Sequence, residues 1–97
     1  MPANIILMKL TDQGIKNIRQ APERIHVGIK KFEAMGGKMI GFYATMGEYD
    51  YVAIGESPND EVGMAFSLGL GAQGNVRTTT IKAYTVEEFT NMVSKLP

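Results

Sequence analysis

The side chains that could carry out chemistry are few, and most lie near the middle of the chain. His26 is the only histidine, and its imidazole would titrate near neutral pH, as a general base requires. Asp50 is the second candidate for proton transfer. Six residues could contact a ligand: Thr11, Tyr43, Glu48, Tyr49, Asp50 and Arg77. In this set a tyrosine would orient the ligand, and the Arg77 guanidinium would hold an anionic group.

A structural interpretation of the same residues stays open. Asp50 could cap the turn that contains Gly47, or pair with Arg77 to fix the ends of two strands. A single histidine on a helix is more often exposed or interfacial than catalytic. Tyrosines near a hairpin could equally pack at an oligomer interface.

The composition argues against several kinds of site. There is no cysteine, which excludes disulfides, thiol catalysis and cysteine-ligated metals. One histidine, and carboxylates without the spacing of a metal loop, do not predict a metal site. The glycine-rich stretch 71–74 follows a predicted helix and precedes a strand, the reverse of the order in a phosphate-binding loop. We therefore predict neither a metal nor a cofactor.

Charge and hydropathy narrow the class of partner. Ten Lys and Arg residues balance ten Asp and Glu residues, so no net charge attracts nucleic acid or anionic membranes. The longest apolar run, residues 5–8, is far shorter than a membrane span. The chain does not open with the basic and apolar segments of a secretory leader. The sequence predicts a cytoplasmic protein that binds neither nucleic acid nor membrane.

The hydrophobic pattern predicts one α+β domain over residues 1–97, with the element order β-α-β-β-α-β and a C-terminal helix. The predicted strands cover residues 4–10, 38–45, 51–56 and 76–84. An apolar stripe with helical spacing follows the first strand. Thr11 and Asp12 offer cap oxygens at its start, Pro22 divides it, and Gly36 ends it.

Local signals place the two remaining helices. Residues 57–60 are predicted to start a helix, with Ser57 as its cap and Pro58 in the first helical position, and the helix continues over residues 61–70. Residues 71–74 are predicted to form a loop. Thr85 and Glu88 have the spacing of a capping box, which predicts the start of the C-terminal helix.

This order is that of the ferredoxin-like fold, an antiparallel sheet with both helices on one face. In that fold the first strand lies between the third and the fourth and runs antiparallel to both. The end of strand one, the hairpin at residues 46–50 and the start of strand four then share one sheet edge. Thr11, Asp50 and Arg77 are therefore expected near one another.

The first strand is apolar on both sides. Ile5 and Leu7 point to one face, and Ile6 and Met8 point to the other. Two helices cover only one face of the sheet. We therefore expect a second copy of the sheet to cover the other face, in a homodimer or larger oligomer.

Short motifs follow one another along nearly the whole chain. They are Thr11-Asp12-Gln13-Gly14, Pro22-Glu23-Arg24, Gly36-Gly37-Lys38, Gly47-Glu48-Tyr49-Asp50 and Gly74-Asn75-Val76-Arg77-Thr78, with Glu87-Glu88-Phe89 as a weaker match. Their order and spacing resemble the GYD-domain family of small prokaryotic proteins. The resemblance implies a ferredoxin-like architecture of the dimeric α/β-barrel type, and it implies no established activity.

Two functions from different classes follow. The first is a non-enzymatic oligomeric module that binds a small molecule or a partner protein, either between two sheets or at the edge formed by residues 47–50. The second, by analogy of fold alone, is a small cofactor-independent oxygenase, isomerase or decarboxylase. The first is favoured because the sequence shows no nucleophile–base pair. A closed apolar cavity containing Asp50, Arg77 and a tyrosine would favour the second.

Overall fold

The computed structural model describes residues 3–97 as four β-strands and four α-helices. The strands are β1 (Ala3–Leu10), β2 (Lys38–Ala44), β3 (Tyr51–Glu56) and β4 (Val76–Ala83). The helices are α1 (Asp12–Lys16), α2 (Ala21–Ala34), α3 (Asp60–Gln73) and α4 (Val86–Ser94), with a 3₁₀ turn at Ile18–Gln20. Each strand lies within about one residue of its predicted bounds, which is inside the usual uncertainty of an element's end.

The strands form one sheet in the order β2-β3-β1-β4, and every neighbouring pair is antiparallel. In this register Ile6 of β1 lies opposite Ala53 of β3 and Thr80 of β4. The register shifts between Met39 and Gly41 of β2. The order and direction of the strands confirm the predicted α+β, ferredoxin-like fold.

One face of the sheet, called here the covered face, carries α2 and α3. Its centre is the buried core, in which Ile6 is 5% and Met8 3% exposed. Ile25 of α2 and Phe66 of α3 pack against that centre. Phe32 is also buried, and its ring lies 4.8 Å from that of Phe66, centroid to centroid. The core therefore lies between the sheet and these two helices.

The opposite face, called here the open face, is also apolar. Ile5 of β1 lies between Ile54 of β3 and Ile81 of β4, so three isoleucines form a row across adjacent strands. Leu7 and Val52 form the next pair. These side chains are half-buried or exposed, because no helix of residues 3–97 buries this face.

The chain between β1 and β2 behaves as predicted. Thr11 caps α1, the 3₁₀ turn interrupts the helical stripe, and α2 restarts with Pro22 in its first turn. Proline is tolerated there because the first helical N–H groups have no partner within the helix. Gly36 follows α2 with a φ of 91°, a left-handed conformation that favours glycine.

Both predicted ends of α3 were wrong. The N-cap is Asn59, whose side chain accepts a hydrogen bond from the Val62 N–H, and not Ser57. Ser57 is fully buried and donates its hydroxyl to the Asn59 carbonyl, so it cannot cap. The predicted loop 71–74 is mostly helix, because α3 continues through Gln73 and ends at the left-handed Gly74.

The C-terminal helix α4 begins with the predicted capping box of Thr85 and Glu88. None of its residues is buried, and its apolar side chains are exposed, among them Phe89, Met92 and Val93. The chain is elongated, with extents of 53 × 30 × 19 Å. Within residues 3–97, no helix is long and apolar enough to cross a membrane.

Candidate functional site

Asp50 ties the hairpin to the end of β1. Its backbone N–H donates to the Met8 carbonyl at 2.8 Å, and its carboxylate Oδ2 accepts from the Leu10 N–H at 2.8 Å. A charged acceptor makes the second hydrogen bond one of the stronger kinds. Gly47 turns the hairpin with a φ of 110°, which requires glycine in practice. The predicted meeting of β1 and the hairpin at one sheet edge is confirmed.

Thr11 ties the same edge to the start of β4. Its N–H donates to the Asn75 carbonyl at 3.0 Å, and its hydroxyl donates to the Gly74 carbonyl at 2.5 Å. The hydroxyl also accepts from the Gly14 N–H at 3.1 Å as the cap of α1. A Cβ at Gly14 would overlap the Asn75 carbonyl oxygen, so this contact needs glycine. The Thr11 side chain therefore works as a structural connector here.

Arg77 is exposed at the start of β4 and does not pair with Asp50. Its Nη1 lies 3.4 Å from the carbonyl oxygens of Gly71, in the last turn of α3, and of Val76. The Asp50 carboxylate is turned to the Leu10 N–H instead. The pairing of Asp50 with Arg77, one of the two structural alternatives, is wrong, because β3 and β4 lie on opposite sides of β1.

The other candidates do not converge on one point. The Lys9 ammonium lies 3.7 Å from the Glu48 carboxylate and 5.4 Å from the centre of the Tyr49 ring. Tyr43 is 60% exposed on the open face, beside Gly41. His26 is exposed on α2. Their roles in ligand binding or proton transfer stay predictions, and residues 3–97 contain no cluster of three metal-ligating side chains.

A cavity opens at this same sheet edge, but on the covered face between α2 and α3. Its volume is about 60 Å³, and its walls are mainly apolar, with Leu10, Ile25, Phe42 and Leu70 among them. Its polar lining consists of Arg24, Tyr51, Gln73 and Asn75. None of the seven residues predicted from the sequence lines it.

A sequence signal for this cavity existed and was missed. Gly28 stands in the middle of α2 and lines the cavity, and a Cβ there would meet nothing within 4 Å. Glycine inside a helix is unfavourable relative to alanine. A glycine on the flank of an apolar stripe therefore indicates either close packing or free space, and here it borders free space.

Within residues 3–97, two charged groups have a shifted pKa, and both lie outside this edge. The hydrogen bond from the Lys82 ammonium to the Asp60 carboxylate, 3.0 Å long, raises the pKa of Lys82. The hydrogen bond from the Thr85 N–H lowers the pKa of the Glu88 carboxyl. Both groups are exposed, so these shifts describe local pairs and not a reaction centre.

Comparison with known proteins agrees with the fold and with the family resemblance. A curated relative from Thermus thermophilus, the "Glutamine synthetase and cystathionine beta-lyase binding protein", is 33% identical over 90 residues. The match covers 92% of this chain and 95% of the relative. The crystal structure of FFRP-DM1 superposes with a TM-score of 0.56 at 19% identity. It covers 87% of this chain and 100% of that one, and it shows the fold alone.

The model of the GYD domain matches residues 5–93. That range contains the whole sheet core, the hairpin of residues 47–50 and most of α4. The matched range and the identity to the Thermus relative show that this chain belongs to the GYD-domain family.

Proposed function

We propose that this chain is a non-enzymatic binding module, which self-associates through its open face and α4 and binds a partner protein as the oligomer. The observation that carries the proposal is the uncovered apolar surface. On the open face, water can reach the row formed by Ile5, Ile54 and Ile81. Contiguous apolar patches of this kind on a small protein mark interaction surfaces.

The pattern of the open face suits a second copy of the same surface. Its centre is aliphatic, and charged residues lie towards its ends, with Lys9 at one end of β1 and Glu56 at the opposite end of β3. An apolar centre within a polar rim is the usual anatomy of an interface. In a two-fold dimer the isoleucine row of one copy would pack against that of the other.

Helix α4 supports the same conclusion independently. It has nine residues, buries none of them, and exposes the apolar side chains Phe89, Met92 and Val93, with Leu96 just beyond its end. Isolated helices of this length are marginal in water, so tertiary packing must provide most of their stability. In a homo-oligomer, another copy of the chain supplies a surface on which this apolar stripe can pack.

The Thermus relative supports a partner protein as the ligand of the oligomer. Its name says that it binds glutamine synthetase and cystathionine β-lyase. We propose that this chain likewise binds glutamine synthetase, cystathionine β-lyase or both. A cytoplasmic location is part of the proposal.

Solution mass tests the self-association. Light scattering and native mass spectrometry should give a dimer or a multiple of it for the wild type. Ile81→Lys places a charge in the isoleucine row and should give a folded monomer, because burying an unpaired ammonium at the interface is unfavourable. Met46→Lys, at a fully exposed hairpin residue, is the matched control and should keep the wild-type mass. A wild type that is monomeric at all concentrations would overturn the proposal.

Purified enzymes test the partner. Immobilised wild-type protein should bind glutamine synthetase or cystathionine β-lyase from the same organism in a saturable manner. The Ile81→Lys variant should bind more weakly, and the Met46→Lys variant should bind as the wild type does. Failure of both enzymes to bind the oligomer would contradict the partner class and leave the self-association result standing.

A further inference from the structure

The cavity between α2 and α3 has a polar and an apolar part, and neither is needed for the self-association proposed above. It lies on the covered face, on the other side of the sheet from the isoleucine row. The ring contact of Phe32 with Phe66 joins α2 to α3 away from the cavity, since neither ring lines it. Its volume of about 60 Å³ exceeds the roughly 10–15 Å³ that a single water molecule needs.

Arg24 is a half-buried cation in the cavity wall without an acidic partner. Its Nη1 donates to the Asn17 carbonyl at 2.9 Å. No carboxylate of residues 3–97 lies within 4.0 Å of its guanidinium. A guanidinium has five N–H donors, so several remain for another acceptor. The planar fork of arginine matches a carboxylate, so these remaining donors suit a carboxylate ligand.

Tyr51 provides a second polar group. Its side chain is 8% exposed and lines the cavity, with the Phe42 ring 5.4 Å away. Its hydroxyl forms no hydrogen bond with the described part of the chain, although buried tyrosine hydroxyls usually find a partner. Since no fully buried side-chain oxygen in residues 3–97 lacks a partner, this hydroxyl is not sealed in the core. Tyr51 lines the cavity, so its hydroxyl is available to a ligand there.

Gly28 keeps the α2 wall of the cavity free of a side chain. A Cβ there would meet nothing within 4 Å, so packing does not require glycine at this position. Gly69 of α3 is a useful contrast. It also has open space around its Cβ, but it is exposed and does not line the cavity.

We propose that this cavity binds a small apolar carboxylic acid. The carboxylate accepts hydrogen bonds from the Arg24 guanidinium. The hydrocarbon part lies between α2 and α3, against Ile25 and Leu70. The Tyr51 hydroxyl donates to an oxygen of the ligand. The small volume selects a short branched chain or a single ring over a nucleotide or a fatty acid.

Titration of the ¹⁵N-labelled protein with benzoate tests the site. Benzoate should shift the backbone amide signals of Ile25, Gly28, Leu70 and Asn75 in a saturable manner. Benzamide, which has the same ring without the charge, should bind at least about tenfold more weakly. The same titration of the Ile81→Lys variant, which is expected to be monomeric, shows whether benzoate binding depends on self-association.

Matched variants identify the groups responsible. Arg24→Gln should weaken benzoate binding about tenfold or more, whereas Arg19→Gln, which removes an exposed cation nearby, should change it less than about twofold. Gly28→Leu should fill the cavity and abolish binding without lowering Tm, and Gly69→Leu should leave binding intact. Tyr51→Phe should weaken binding a few-fold and leave Tm unchanged, because its hydroxyl has no partner to lose.

The proposal is overturned by any of three results. The first is no saturable shift at these amides. The second is equal binding of benzamide and benzoate. The third is the same loss of affinity in the Arg24→Gln and Arg19→Gln variants, which would mean that benzoate responds only to net charge.

Discussion

The covered and open faces of the sheet are built by the same strands from the same kinds of residue, yet only one is buried. Along β1, Ile6 and Met8 are buried while Ile5 and Leu7 remain partly exposed. The side chains alternate strictly between faces, but polarity does not alternate with them. The difference between the faces is therefore produced by the helices that pack on one of them and not by the composition of the strand.

The free energy gained by burying apolar surface therefore has two parts, one for each face of the sheet. Burial of apolar surface contributes roughly 25 cal/mol per Å² wherever it occurs. On the covered face that contribution stabilises the single chain, and it is independent of protein concentration. On the open face it becomes available only when another surface packs there, so it depends on concentration. Substitutions on the two faces should differ in this respect.

The largest effect is expected on the covered face. Phe32→Ala should lower the free energy of unfolding by about 3–5 kcal/mol, because it leaves a cavity in the core. Phe32 is 3% exposed, and a Cβ at Gly37 or Gly55 would lie 2.5 or 3.1 Å from its ring. Urea unfolding at several protein concentrations measures the loss, which should not vary with concentration.

Leu7→Ala on the open face is the control for this prediction. In the monomeric Ile81→Lys background it should cost far less than Phe32→Ala, because Leu7 is already partly exposed. In the wild-type background its cost should grow with protein concentration. Equal costs for Phe32→Ala and Leu7→Ala in the monomer would show that the open face is covered within one chain.

A smaller effect is expected at the edge where β1 meets the hairpin. Asp50→Ala should lower the free energy of unfolding by about 1–3 kcal/mol, because the part-buried Leu10 N–H loses its acceptor. Glu48→Ala removes the exposed ion pair with Lys9 and should cost less than about 1 kcal/mol. Thermal unfolding of both variants gives the comparison. An Asp50→Ala protein as stable as the wild type would contradict the structural interpretation of Asp50.

Features set by neighbouring residues could be predicted from the sequence. The ends of β3, the break at Pro22, the left-handed Gly36 and the Thr85–Glu88 capping box each depend on a few adjacent positions. The meeting of β1 with the hairpin also followed, because the fold allows only a few antiparallel orders. These predictions used local chemistry and topology, which one sequence contains.

Features set by tertiary packing could not be predicted in the same way. Ser57 has the type of a cap residue, but its burial turns the hydroxyl to the Asn59 carbonyl. An Asp50–Arg77 pair was compatible with the predicted topology, but the Leu10 N–H is the partner of the Asp50 carboxylate. The cavity depends on the separation of α2 from α3, which no periodicity encodes. Only Gly28 indicated it, and a mid-helix glycine has more than one explanation.

The smallest effect concerns α4, which lacks the helix contacts that stabilise the covered face. The Thr85 N–H donates to the Glu88 carboxylate at 2.9 Å, and this hydrogen bond lowers the pKa of Glu88 in the folded state. A carboxyl with a lowered pKa in the folded state stabilises that state above its unfolded pKa. The stabilisation is lost as the pH falls through the lowered, folded value. Acid should therefore fray the start of α4 before it affects the core.

Amide hydrogen exchange in α4 of the Ile81→Lys monomer, followed from neutral pH to below the ordinary glutamate pKa of 4.5, measures this fraying. After correction for the intrinsic pH dependence of exchange, protection should fall on acidification in the Glu88 protein. It should stay constant in Glu88→Gln, whose amide oxygen accepts the same hydrogen bond without titrating. Equal losses in both proteins would assign the effect to another acidic group. Constant protection in both would mean that contacts other than its cap stabilise α4 within one chain. Helix α4 would then resemble the covered face, whose stability does not depend on a second copy.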